Sequence, residues 1–164
     1  MVTFRSALIE ESDILSDLAI KSKGHWGYSK EQLDGWRSDL RIGQTYIQEH
    51  IVRTIWSDSE LVGFFAIKKG KTYALDHLWL LPKVIGKGIG VQAFQEIIKE
   101  CEASGIDAFT IVSDPNAEGF YLKAGAKRIG EVESTPKNRF LPKLRYQLSQ
   151  VETEHLPTNR KSAG

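Results

Sequence analysis

Two rhythms of apolar and polar residues run along this chain, one of period two and one near 3.6, and they partition it into strands and helices. Val2 to Leu8 reads as a strand. Behind Ser12, a helix-capping residue type, Ile14, Leu15, Leu18 and Ala19 share one helical face, and the run Lys23-Gly24-His25-Trp26-Gly27-Tyr28 ends that helix. Ser29 and Gln32 have capping-box spacing, and Leu33, Trp36 and Leu40 continue at helical intervals, which predicts a second helix. Three β-rich runs follow: Ile51 to Ser57, Leu61 to Lys68 and Thr72 to Leu81. Their short polar connectors, Asp58-Ser59-Glu60 and Lys69-Gly70-Lys71, predict an antiparallel meander.

From Gly88 to Ser104, Val91, Phe94, Ile97, Ile98 and Cys101 mark the face of a longer helix, and Gly105 stands where a C-terminal glycine stops one. Phe109 to Val112 is a further strand. Asp114 can cap a short helix with Pro115 in its first turn, lined by Ala117, Phe120, Tyr121 and Ala124 and ended by Gly125. Strands near Arg128 to Glu133 and Leu144 to Leu148 close the pattern. The expected fold is a mixed α/β (α+β) one: a mostly antiparallel twisted sheet of about six or seven strands, with about four helices and one parallel step where the long helix crosses over. Residues 1–150 are expected to form one domain, and Val151 to Gly164, aperiodic and polar, a poorly ordered tail.

Composition narrows the function. With 22 Lys plus Arg against 21 Asp plus Glu, the net charge of +1 gives no electrostatic excess to recruit nucleic acid or anionic lipid. The lone Cys101 cannot form an internal disulfide, and no Cys or His cluster has zinc-ligand spacing, so no metal is expected. The first twelve residues carry Arg5, Glu10 and Glu11, unlike a signal peptide, and no run reaches the roughly 18 apolar residues of a membrane span. A cytoplasmic protein is the expectation.

The most informative segment runs from Leu80 through Pro82, Ile85, Gly86, Lys87 and Gly88 to Gly90, a strand end leading through a loop into a helix. Alternating glycines at a helix start leave backbone N–H groups uncovered, where they can point at phosphate oxygens with the helix dipole behind them. The same glycines could instead serve a tight turn and close helix–sheet packing. A dinucleotide site is a rival, because Gly88-Ile89-Gly90-Val91-Gln92-Ala93 matches that fingerprint with alanine last. Against it, Pro82 to Lys87 separate the glycines from their strand, a meander precedes them, and too little chain follows for further βαβ units. No Gly-Lys-Ser or Gly-Lys-Thr follows either, which removes a nucleoside-triphosphate P-loop.

From Phe4 to Leu148 the sequence resembles the GNAT superfamily of acetyltransferases. Gly88 and Gly90 match the glycines of that family's coenzyme A pyrophosphate loop, although Ile85 stands where Arg or Gln is usual. Ala117, Tyr121 and Gly125 satisfy its second motif, with Asp114 in place of the usual Asn and Asn116 as a substitute contact. The resemblance implies acetyl-CoA as cosubstrate, held by Leu80, Leu81, Lys83, Gly86, Lys87, Gly88, Ile89, Gly90 and Val91 together with Asn116 and Tyr121.

It also implies N-acetylation by direct attack of an amine, a small molecule or an exposed peptide amino group, on the thioester. Tyr121 would protonate the leaving thiolate, a backbone N–H near Leu80 or Leu81 would steady the oxyanion, and Asp76 or His77 would take the amine proton. Strand alternation places Asp76 and His77 on opposite faces, with His77 beside Tyr73 and Trp79. His25, Trp26 and Tyr28 fall where the family builds its acceptor pocket; they could hold an amine or equally plug the core. A non-catalytic coenzyme A sensor of the same fold stays open, as does a homodimer.

Overall fold

The three β-rich runs fold as the expected meander: β2 (Ile51–Ser57), β3 (Glu60–Lys68) and β4 (Ala74–Leu80), with β1 (Val2–Ser6) antiparallel on its outer edge. The structure, a computed structural model, describes residues 1–134 and 139–148, so the expected tail lies outside the described residues. β5 (Ala108–Val112), β6 (Lys127–Ser134) and β7 (Arg139–Gln147) complete one seven-stranded sheet of order β1-β2-β3-β4-β5-β7-β6. Its one parallel step joins β4 to β5, where α4 (Ile89–Ala103) makes the crossover.

That step is also where the sheet opens. β4 and β5 pair only at Ala74 and Thr110, where the Thr110 N–H donates to the Tyr73 carbonyl at 3.0 Å. Beyond this point the C-terminal half of β4 has lost its neighbour on that side.

A β-bulge sits just at the opening. Across β3, Ala66 pairs with His77 but Ile67 pairs with Leu75, so Asp76 is an extra residue in β4. The bulge reverses the inward and outward order that follows it. Leu75 packs with Ile55, Phe65, Phe94, Ile97 and Phe109 on one face, yet His77 lies against Phe64 on the other. Trp79 joins His77 on that second face, while Leu78 and Leu80 return to the first.

Each face carries its own core. α4 and α5 (Glu118–Ala124) cover the first; α1 (Ser12–Gly24), α2 (Lys30–Trp36) and α3 (Gln44–Glu49) contribute Leu15, Leu18, Trp36 and Ile47 to the second. Fully buried side chains of this size stabilise by about 1.5–3 kcal/mol each. The predicted capping box of α2 is present, with the Gln32 N–H bound to Ser29 Oγ at 3.1 Å and the Ser29 N–H to Gln32 Oε1 at 2.9 Å. α2 stops at Trp36, but the Leu40 N–H still reaches the Trp36 carbonyl and its side chain is buried, as the spacing requires. Ser12 is the first residue of α1 and not its cap; its hydroxyl instead donates to the Ile42 carbonyl at 2.5 Å. Among the described residues no helix is long and apolar enough to cross a membrane.

Candidate active site

Where β4 and β5 part, a cavity of about 360 Å³ passes between the two faces of the sheet. Leu78, Leu80, Phe120 and Tyr121 line it from the α4 and α5 face; Ser22, Trp26 and Trp79 line it from the α1 face. Its floor toward α4 is Ile85, Gly86, Gly88, Gly90 and Val91.

The glycines divide by role. Gly86 and Gly88 have φ of 85° and 83°, a left-handed backbone that residues with a Cβ rarely adopt, and a Cβ at either would enter open space. Gly88 is the N-cap residue of the fifteen-residue α4, so the first N–H groups of that helix and the positive end of its dipole face this floor. Gly90 is helical, and a Cβ there would lie 3.2 Å from the Phe120 ring. Its absence of a side chain serves packing. Val91 is 55% exposed and lines the cavity, so it does not belong to the core face of α4 as the spacing suggested.

Four of the expected coenzyme residues lie off this wall. Lys83 forms an ion pair with Glu60, Ile89 is buried beneath the helix start, and Lys87 and Leu81 are not on the wall. The Leu81 N–H donates to the Val62 carbonyl at 2.8 Å, so it cannot serve an oxyanion. Alternation along an antiparallel ladder then turns the N–H groups of Leu80 and Leu78 away from β3, toward the gap left by β5. Leu80, with a backbone donor aimed into the cavity, fits the expected position.

Tyr121 lies on α5 against Phe94 and Phe120, 7% exposed and on the cavity wall. Burial pushes its phenol well above the usual range, so the hydroxyl keeps its proton at neutral pH. Among the described residues its hydroxyl makes no hydrogen bond.

Asp114, at the end of β5, borders the cavity and anchors a buried charge cluster. Its carboxylate accepts from Lys23 Nζ, Tyr28 Oη and the Asn116 N–H, each at 2.9 Å, and Arg139 Nη2 approaches to 3.6 Å. Lys23 Nζ also lies 4.5 Å from the centre of the Trp36 ring and 5.8 Å from that of Trp79. Burial alone would raise the Asp114 carboxyl, but the Asn116 N–H, the Lys23 ammonium and the Tyr28 hydroxyl outweigh it and hold the group below the usual carboxylate range. Tyr28 is therefore committed: it donates to Asp114 and accepts from Arg139 at 2.7 Å, and burial followed by Asp114 pushes its phenol up to about 12. Of the three residues expected at the acceptor end, only Trp26 lines the cavity; His25 is exposed beside it. Asn116 does line the wall, with its amide donating to Asp114 at 2.9 Å.

Asp76 and His77 do not lie on opposite faces. The bulge brings Asp76 Oδ2 to 3.7 Å from His77 Nε2, and it separates His77 from Tyr73, which packs in the other core. His77 Nδ1 accepts from Trp79 Nε1 at 2.9 Å, which in the neutral ring puts the proton on Nε2, facing Asp76. Burial lowers the His77 pKa, partly opposed by the Asp76 carboxylate, so the ring is neutral at neutral pH. His77 is 7% exposed and Asp76 36%. Neither is on the cavity wall, which His77 reaches only through its hydrogen bond from Trp79.

A model of the acetyltransferase (GNAT) domain matches residues 28–142, more than half of the chain. The chain belongs to the GNAT family. Among solved structures, the PaiA N-acetyltransferase of Thermoplasma acidophilum, in complex with coenzyme A, is 20% identical, with a TM-score of 0.72 over 90% of this chain and 99% of that one. A GCN5-related N-acetyltransferase of Rhodopseudomonas palustris is also 20% identical, at 0.73 over 89% and 95%. A GNAT acetyltransferase of Elizabethkingia anophelis with acetyl-CoA bound is 16% identical, at 0.67 over 90% and 98%. At these identities the likeness is one of fold. No curated protein matches the sequence significantly.

Several residues of this GNAT cavity were not legible beforehand. Ser22, Leu78, Trp79 and Phe120 line it because the sheet opens beside them, and Lys23 and Arg139 reach Asp114 across 91 and 25 residues of chain. No short-range spacing announces such pairs. Among the described residues no group of three or more His, Cys, Asp or Glu is placed to hold a metal ion.

Proposed function

We propose that this chain is an N-acetyltransferase that passes the acetyl group of acetyl-CoA to a primary amine by direct attack, with residues 1–150 as one catalytic domain. The observation that carries the reading is the cavity through the sheet: a backbone cradle opens on one face and a Trp-walled chamber on the other, with β4 between them. The cradle fits the coenzyme, since left-handed Gly86 and Gly88 leave open space above the free N–H groups of α4. When bound, acetyl-CoA supplies a thioester carbonyl activated toward amines.

The chain's own groups then divide the work. The Leu80 N–H aims a fixed donor at the acyl oxygen, where negative charge grows during attack. The buried, protonated Tyr121 hydroxyl holds a proton for the departing sulfur. Trp26 and Trp79 give the acceptor an apolar, cation-tolerant wall. An alkylammonium with a pKa of about 10.4 must lose a proton before it attacks. Asp76 takes it through the solvent that borders its exposed carboxylate; His77, with Nδ1 bound to Trp79, is its neighbour and not the base.

The test is thiol release from acetyl-CoA against polyamines, amino acids, aminoglycosides and peptide N-termini. An acceptor that gives turnover is expected. Tyr121→Phe keeps the ring and removes the hydroxyl, and it should lower kcat by roughly 10²-fold with acetyl-CoA affinity unchanged. Tight acetyl-CoA binding with no turnover on any amine would make the domain a sensor.

A further inference from the structure

α3 contributes no residue to the cavity wall, yet it reaches the base. Tyr46 Oη donates to Asp76 Oδ2 at 2.6 Å, and its ring stands edge-on to His77 with centroids 5.9 Å apart. Burial first, and then Asp76, drive the Tyr46 phenol far above its ordinary range, so it stays a donor across the working pH range. The Tyr46 and His77 contacts to Asp76 both fall on Oδ2, which leaves Oδ1 for a further partner. The carboxylate is thus held by one oxygen and offered by the other.

We propose that Tyr46 is a positioning residue for amine deprotonation, fixing the Asp76 carboxylate through Oδ2 so that Oδ1 is left to take the proton. This rests on the reading of Asp76 as the base. A hydroxyl donating to one carboxylate oxygen holds the group in one orientation, so its removal frees the carboxylate to turn. The other titratable groups facing this cluster are few. His77 is held neutral by burial, and Lys68 at the end of β3 adds to that effect. At the end of α3, the His50 ring packs tilted against Tyr46 with centroids 4.6 Å apart, and its Nδ1 is occupied by the Lys69 N–H at 3.0 Å. None of these replaces the lost donor.

The experiment compares wild type with Tyr46→Phe, which keeps the ring and its packing. Both are compared again in an Asp76→Asn background, so that a role exercised through Asp76 shows as non-additivity. For each protein kcat and KM are measured with the acceptor found above, together with thermal stability and acetyl-CoA affinity. Tyr46→Phe should lower kcat about 10-fold with KM nearly unchanged, and should have no further effect once Asp76 is Asn. Acetyl-CoA affinity should not change. A tyrosine that merely packs α3 would lower thermal stability and leave kcat in place, which would overturn the proposal at Tyr46. An Asp76→Asn variant with wild-type kcat would overturn it at the other end, by removing Asp76 as the base.

Discussion

The two chambers of the cavity are built from different parts of the polypeptide. Toward α4 the polar working surface is, apart from the Tyr121 hydroxyl, backbone: Gly86, Gly88, the first turn of a helix and the turned N–H of Leu80. Toward α1 it is side chain: Trp26, Trp79 and, behind them, the Lys23–Asp114–Arg139 and Tyr46–Asp76–His77 groups. A backbone surface depends on local conformation, and glycine spacing reports it directly. The side-chain surface depends on which distant residues the fold brings together.

The largest effect should come from the side-chain half. Asp114→Asn leaves the buried Lys23 and the partly buried Arg139 without their carboxylate, and breaking a buried pair of the Lys23–Asp114 kind costs about 3–5 kcal/mol of stability. Denaturant titration measures it. The pH dependence carries a matching signature. Because the folded Asp114 pKa lies below its unfolded value of about 3.9, its contribution is complete above that pH and is lost as pH falls through the folded pKa. The acid-side decline of wild-type stability should flatten in Asp114→Asn. An equally steep decline in both would remove Asp114 from the account.

The backbone half breaks differently. Gly88→Val forces a β-branched residue to φ 83° and sends its side chain into the open space above the loop. Acetyl-CoA affinity, by calorimetry, should fall about 100-fold or more, while strain of about 1–3 kcal/mol lowers stability less than Asp114→Asn does. Retained affinity in the folded variant would mean that these amides do not bind phosphate.

The finest discrimination is within the loop itself. Gly90→Ala gains about 1 kcal/mol of helix propensity and loses a comparable amount against the Phe120 ring, so stability should change little and coenzyme affinity should persist. A Gly90→Ala variant as damaged to binding as Gly88→Val would show that both glycines face the ligand, and the division drawn between them would collapse.

The same division explains what could be read in advance. The meander, the long helix, the Ser29–Gln32 box and the Ala117–Tyr121–Gly125 segment announce themselves through spacing over a few residues. α3 does not: it has six residues, Gly43 in place of a side-chain cap, and Ile47 as its one buried position. With α3 unseen, Tyr46 could not be placed beside Asp76. Nor could Tyr28 be recognised as a partner of Asp114 rather than a wall of the acceptor pocket, because 86 residues separate them. The faces of Asp76 and His77 were misjudged for a different reason: alternation is a rule for regular strands, and nothing in the local residue types marks a bulge.

That bulge acts on β4 as a frameshift acts on a message read in twos. Downstream of Asp76, Leu78 and Leu80 serve one chamber and Trp79 the other because the count is odd by one. Loss or gain of a single residue between Leu75 and Leu80 would therefore not subtract one side chain; it would exchange the occupants of both chambers and turn the Leu80 N–H back toward β3. The length of this strand segment is constrained by parity, even at positions where the side chain itself is free to vary.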